Sequence, residues 1–200
     1  MSRVLSHVRR GLGAVALAAA FVPALAPAAG AQSYFGLGGG WSVPLGPANR
    51  SLASGFNGLA LIGFGSPDIP LGIRFDGMFN RFRFKGDGPY QNVWAGTANL
   101  VAPLSHGIIV PYLIGGVGYY AIQNPSPPSS VNFPCPMPGC AAPPLPYPTK
   151  GEGAFGVNGG LGVRTWGTGR LGIFLEARYH YVWSHNPIEP LAPITLGVTF

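Results

Sequence analysis

Residues 174–183 read FLEARYHYVW, so a carboxylate (Glu176), a guanidinium (Arg178) and an imidazole (His180) recur at every second position in an apolar, aromatic segment. Such groups perform general acid–base chemistry when they converge on one reacting atom. Side chains two residues apart also share one face of a β-strand, so the same spacing describes a strand with one polar and one apolar side. No Ser or Cys lies beside the three on that face to act as a nucleophile, and we expect no catalytic residues.

The other candidate chemistry is sparse. Metal binding needs clustered ligands; the four histidines, His7, His106, His180 and His185, are scattered. Neither a metal site nor a cofactor is expected. Ser184-His185 and His106 read as solvated polar residues between elements. Cys135 and Cys140 lie in NFPCPMPGCAAPP, and ten prolines between Pro125 and Pro148 favour stiff, extended pieces of chain. In an oxidising compartment the expectation for this pair is a local disulfide.

An export signal is expected over residues 1–31. Arg3, Arg9 and Arg10 precede the Ala-rich apolar run from Leu12 to Val22. Pro23 and Pro27 follow, then Ala29-Gly30-Ala31, with cleavage expected before Gln32. Three of the twelve Lys/Arg lie in this segment, which leaves nine against six Asp/Glu, a net charge of about +3. No Lys/Arg cluster tracks a phosphate backbone, so no nucleic-acid partner is expected. Charged residues make up 9% of the chain, far below the roughly 25% of a soluble domain. After residue 31 no apolar run approaches the ~20 residues of a membrane helix. Few charges, many aromatics and an export signal point to strands that cross a membrane as a closed barrel.

Which elements would position Glu176, Arg178 and His180? From Leu71 to Phe82, Leu71, Ile73, Phe75 and Phe79 alternate with Arg74, Asp76, Met78 and Asn80. From Leu171 to Trp183, Leu171, Ile173, Leu175, Ala177, Tyr179, Tyr181 and Trp183 oppose Gly172, Glu176, Arg178 and His180. From Phe155 to Thr165, Phe155, Val157, Leu161 and Val163 oppose Gly156, Asn158, Gly160, Gly162 and Arg164, and the chain ends on Ile194, Leu196, Val198 and Phe200. Four less polarised segments, roughly 34–43, 55–64, 90–102 and 108–121, complete eight strands. The fold class expected is all-β: an eight-stranded antiparallel transmembrane β-barrel with up-and-down (meander) connections over residues 32–200. Short connections at 66–70, 103–107 and 167–170 alternate with generally longer ones at 44–54, 83–89, 123–151 and 184–192, and both barrel termini fall on the short-turn side. A three-residue turn at 167–169 predicts Gly162 opposite Phe174, Gly160 opposite Glu176 and Asn158 opposite Arg178.

Alternation alone does not say which face points inward. A soluble barrel would bury the apolar face; a membrane barrel would expose it. The glycine-rich polar face favours the second, because the interior of an eight-strand barrel has room only for side chains. Trp41, Trp94, Tyr181 and Trp183 at one set of strand ends, with Phe64, Trp166 and Phe200 at the other, fit two interfacial girdles. The lumen would then hold a polar network of Arg74, Asp76, Asn80, Asn99, Asn158, Arg164, Glu176, Arg178 and His180.

With the strands laid out, TANLVAPL (97–104), PYLIGGVGYY (111–120), FGVNGGLGVRT (155–165), FLEARYHYV (174–182) and PITLGVTF (193–200) resemble the outer-membrane protein β-barrel domain family, the small eight-strand OmpA/OmpX-like barrels. The resemblance spans roughly Ser33–Phe200, and the peptidoglycan-binding domain of the larger OmpA pattern is not expected. It implies a bacterial outer-membrane location with periplasmic termini. It also implies a C-terminal signal at Phe200 for the barrel-assembly machinery, and outer-membrane lipids as partners. The role it implies is structural or surface-interacting, acting as a monomer with a possible extracellular ligand at the Pro-rich loop. The alternatives are a narrow porin-like channel and, less favoured, a lipid-modifying enzyme.

Overall fold

The computed structural model describes residues 32–46, 48–66, 69–86, 88–125, 149–166, 171–183 and 190–200. Eight strands run β1 (Gln32–Pro44), β2 (Leu52–Ser66), β3 (Ile69–Phe84), β4 (Tyr90–Pro103), β5 (Ile109–Pro125), β6 (Thr149–Trp166), β7 (Gly172–Trp183) and β8 (Leu191–Thr199). They form one closed barrel in sequence order, sealed by antiparallel pairing of β1 with β8 from Gly36↔Thr199 to Pro44↔Leu191. Closure leaves no unpaired sheet edge. The element order is the expected one; β1, β2, β3, β5 and β6 run a few residues longer than expected, and β4, β7 and β8 match their expected bounds to within a residue or two. The Pro-rich connection contracts accordingly to 126–148. A one-turn helix, α1 (Ala48–Ser51), caps the β1–β2 connection. Residues 1–31, Cys135, Cys140, Ser184, His185 and the Pro-rich connection lie outside the described residues.

At one end β2, β4 and β6 finish and β3, β5 and β7 begin, beside the start of β1 and the end of β8; we call it the turn end. At the other, the loop end, β1, β3, β5 and β7 finish and β2, β4, β6 and β8 begin.

The register of the β6–β7 hairpin differs from expectation. Gly162 faces Glu176, Gly160 faces Arg178 and Asn158 faces His180, a slip of two residues. Side-chain direction repeats every two residues, so a slip of two leaves every face unchanged, and alternation cannot detect it. A Cβ on Gly160 would meet Arg178 Cα at 2.8 Å, and one on Gly162 would run into the Tyr112 ring from β5. Gly162 is therefore the space that the inward Tyr112 ring occupies, and Gly160 lets the β7 backbone at Ala177 and Arg178 approach closely.

The faces divide cleanly. Burial alternates residue by residue along β7, with Glu176, Arg178, His180 and Val182 inside and Leu175, Ala177, Tyr179, Tyr181 and Trp183 outside. Leu37, Ile73, Leu100, Leu113, Leu161 and Leu196 are exposed on the outer wall of other strands. From Ile173 to Trp183 the outward run rises about 33 Å along the strand, or about 25 Å along the axis at a tilt of about 40°, the height of an outer-membrane apolar band. Aromatic rings crowd the outer wall towards the loop end: Phe79 stands 6.0 Å from Phe56 and 4.5 Å from Trp94, Tyr119 stands 5.4 Å from Phe155, and Tyr181 stands 5.9 Å from Trp183. At the turn end Phe35 stacks on Phe200 at 5.1 Å, and their backbones exchange hydrogen bonds.

Candidate functional site: the barrel interior

β3 and β7 stand four places apart in a ring of eight and so face each other across the lumen. Each sends one cation and one anion inward, spaced by two. Arg74 Nη2 meets Glu176 Oε2 at 2.8 Å and Oε1 at 2.9 Å, and Arg74 Nε reaches Asp76 Oδ1 at 2.9 Å. Arg178 Nη2 meets Asp76 Oδ2 at 2.6 Å, and Arg178 Nε pairs with Glu176 Oε1. Each guanidinium thus touches both carboxylates, forming a closed, charge-neutral quartet that bridges the barrel. All four side chains are at most 4% exposed.

Neutral groups complete the layer. Asn99 Nδ2 donates to Asp76 Oδ2 at 2.8 Å and to Thr97 Oγ1 at 2.9 Å, and Asn158 Nδ2 donates to Asn99 Oδ1 at 2.8 Å. The Tyr112 hydroxyl donates to Glu176 Oε2 at 2.7 Å. Ionised groups removed from water survive when paired and hydrogen-bonded in this way.

The remaining expected network residues lie elsewhere. Asn80 accepts from Ser42 Oγ at 2.6 Å in a separate cluster, where Asn57 Nδ2 donates to Trp41 O at 2.9 Å and Thr195 Oγ1 donates to Asn57 Oδ1 at 2.9 Å. His180 Nδ1 lies 2.7 Å from the Tyr120 hydroxyl, with the rings edge to face, closer to the loop end than the quartet. Arg164 is only half-buried. It borders a cavity of about 10 Å³ near the turn end, shared with Tyr34, Arg74, Val101, Tyr112, Phe174 and Thr199. That is room for about one water molecule.

Sequence reasoning missed two things. Ser42, Asn57, Thr97, Tyr112, Tyr120 and Thr195 also point inward. On β5 both faces are apolar, so alternation is silent there; pairing Gly162 with an even-numbered β5 residue would have turned Tyr112 and Tyr120 inward. The second omission is larger. The loop-end half of the lumen is largely apolar, filled by Leu52, Leu59, Met78, Phe82, Tyr120, Ile122 and Val182, all 6% exposed or less, around the Ser42–Asn57–Asn80 cluster and His180. The interior is a charged layer beneath a mainly hydrophobic plug that encloses a few hydrogen-bonded polar groups. Among the described residues no three His, Cys, Asp or Glu gather as a metal site. Glu176, Arg178 and His180 are split between the quartet and the plug and converge on no common point.

No protein-family model matches the chain, and no curated protein matches it significantly. Solved structures do. Neisserial surface protein A superposes with a TM-score of 0.62 at 15% identity, over 85% of this chain and 97% of that one. A major outer membrane protein from Thermus thermophilus superposes with a TM-score of 0.57 at 11% identity, over 84% of this chain and 99% of that one. This chain has the fold of the small eight-stranded outer-membrane barrels.

Proposed function

We propose that this chain is an integral protein of a bacterial outer membrane with a sealed lumen, and that it acts as a structural or surface-interaction protein through its loop-end connections. The observation that carries the reading is the interior itself. A neutral quartet spans the lumen between opposite strands, and Phe82, Tyr120, Ile122 and Met78 fill the space above it. A pore needs a continuous wetted path, and both layers oppose one. The outward apolar band and its aromatic rim support membrane insertion. The strand order supports periplasmic termini and external loops, the Pro-rich connection included. The Neisserial protein with the same fold is by name a surface protein. Phe200, docked on Phe35, would be read by the assembly machinery while the chain is still unfolded. No catalytic function is proposed, and one monomer closes its own barrel.

Two measurements test this. The protein should fractionate with outer membranes and shift mobility on gels when left unboiled; behaviour as a soluble secreted protein would overturn the membrane reading. In planar bilayers it should give no stable single-channel conductance. Steady conductance altered by Glu176→Gln or Arg178→Gln would replace the sealed barrel with a narrow channel.

A further inference from the structure

Among the described residues the outer wall is free of charge through its apolar band, until Arg81 and Arg83 on β3. Both follow Phe79 at steps of two and therefore point outward, away from the lumen quartet. At a strand tilt of about 40° they lie about 5 and 10 Å beyond Phe79 along the axis, at the depth of lipid headgroups. Here the wall is not smooth. The β2–β3 register breaks between Ala53 and Phe56, so Ser54 and Gly55 form a bulge. A Cβ on Gly55 would run into the β3 backbone at Arg81, so glycine permits the close approach. The bulge helps to shape a groove of about 560 Å³ bordered by Trp41, Ser54, Phe56, Arg81, Arg83 and Tyr90.

The groove has a charged head and greasy flanks. The Arg81 guanidinium carbon sits 4.1 Å from the centre of the Tyr90 ring, which orients the fork. Its Nε is shielded from solvent without a hydrogen-bond partner among the described residues. Trp41, Phe56 and Tyr90 are about half or more exposed, as is Trp94 just below.

We propose that this groove holds the phosphorylated headgroup of an acidic membrane lipid, with Arg81 and Arg83 on the phosphate and the acyl chains against Trp41, Phe56 and Trp94. Guanidinium forks match phosphate oxygens in geometry and charge, and the groove opens where the aromatic rim meets the polar interface. A soluble anion would have no use for those apolar flanks. Interfacial anchoring alone would hold any bilayer, whatever its headgroups. The inference rests on the membrane reading above, but its test is separate, because fractionation and gel mobility report that reading without reference to this groove.

The test is native mass spectrometry of the folded protein released from detergent containing a phosphorylated glycolipid or its dephosphorylated counterpart. The phosphorylated form should be retained and the dephosphorylated form lost, and excess inorganic phosphate should not displace the lipid. Arg81→Gln with Arg83→Gln should weaken retention by at least about tenfold, the scale of losing one or more charged hydrogen bonds. Arg50→Gln, on α1 and outside the groove, should leave it unchanged. Should the double variant fail to shift on gels as a folded barrel, Arg81→Lys keeps the charge, loses the fork and should give an intermediate loss. Equal retention of both lipids, undiminished binding by folded groove variants, or displacement by free phosphate would each overturn the proposal.

Discussion

Arg178→Met should be among the most damaging single changes in this barrel, and its cost can be worked from the quartet. The wild-type cluster carries two positive and two negative charges. Methionine roughly keeps the aliphatic volume over Gly160 but deletes two charged contacts, one to Asp76 and one to Glu176. At roughly 1.5–3 kcal/mol each these contacts sum to about 3–6 kcal/mol. Breaking a buried ion pair from one side costs about 3–5 kcal/mol because a charge is left uncompensated. Both routes give about 4 kcal/mol. The cause is the surplus negative charge, so restoring neutrality should recover stability: Asp76→Asn in the Arg178→Met background leaves Arg74 facing Glu176 alone. The double variant should regain at least about 1 kcal/mol over additivity. Urea unfolding in phospholipid vesicles, followed by the fluorescence of the four tryptophans and by gel mobility, measures the cycle. A cost below about 1 kcal/mol for Arg178→Met, or an equal effect of Asp76→Asn in both backgrounds, would refute the argument that charge balance across the lumen holds these strands together.

Adjacent glycines on β6 should respond in opposite ways. Gly160→Val drives a branched side chain into the β7 backbone and should cost about 3 kcal/mol or more, or prevent folding. Gly159→Val points outward, where the nearest atom to a new Cβ is Ile114 O at 3.9 Å, and should change stability by less than about 1 kcal/mol in the same urea assay. The hairpin register is open to crosslinking on the outer face: Leu161→Cys with Ala177→Cys should form a disulfide under mild oxidation, whereas Leu161→Cys with Leu175→Cys should not. Tyr120→Phe should cost about 1–3 kcal/mol, because it leaves His180 Nδ1 without its hydroxyl partner in the apolar half of the lumen.

Strand number, order and the polar face of β3, β6 and β7 were legible from the sequence. There alternation is strong, and a period of two survives whatever the tertiary packing. On those three strands Arg74, Asp76, Asn80, Asn158, Glu176, Arg178 and His180 could be placed on one face together. β2 and β5 were not legible in the same way: apart from Asn57, FNGLALIGF and PYLIGGVGYY carry apolar or small residues on both faces, so nothing local separates Tyr112 and Tyr120 from Leu113 and Tyr119. Closure of the sheet decides which side becomes the lumen, and with it that these tyrosines, Leu59 and Ile122 lie inside, where they join Met78 and Phe82 from the polar face of β3.

Glu176, Arg178 and His180, alike in sequence spacing, end in different company. Glu176 and Arg178 meet their partners only because β3 lies diametrically opposite β7. His180, one step further along the same face, reaches Tyr120 instead. By itself, the sequence determined that these three side chains share a face, since strand geometry repeats every two residues. Only the tertiary structure decided their partners and the β6–β7 register. A slip of two residues preserves every face, so alternation carries no information about it and only the pairing in the closed barrel fixes it.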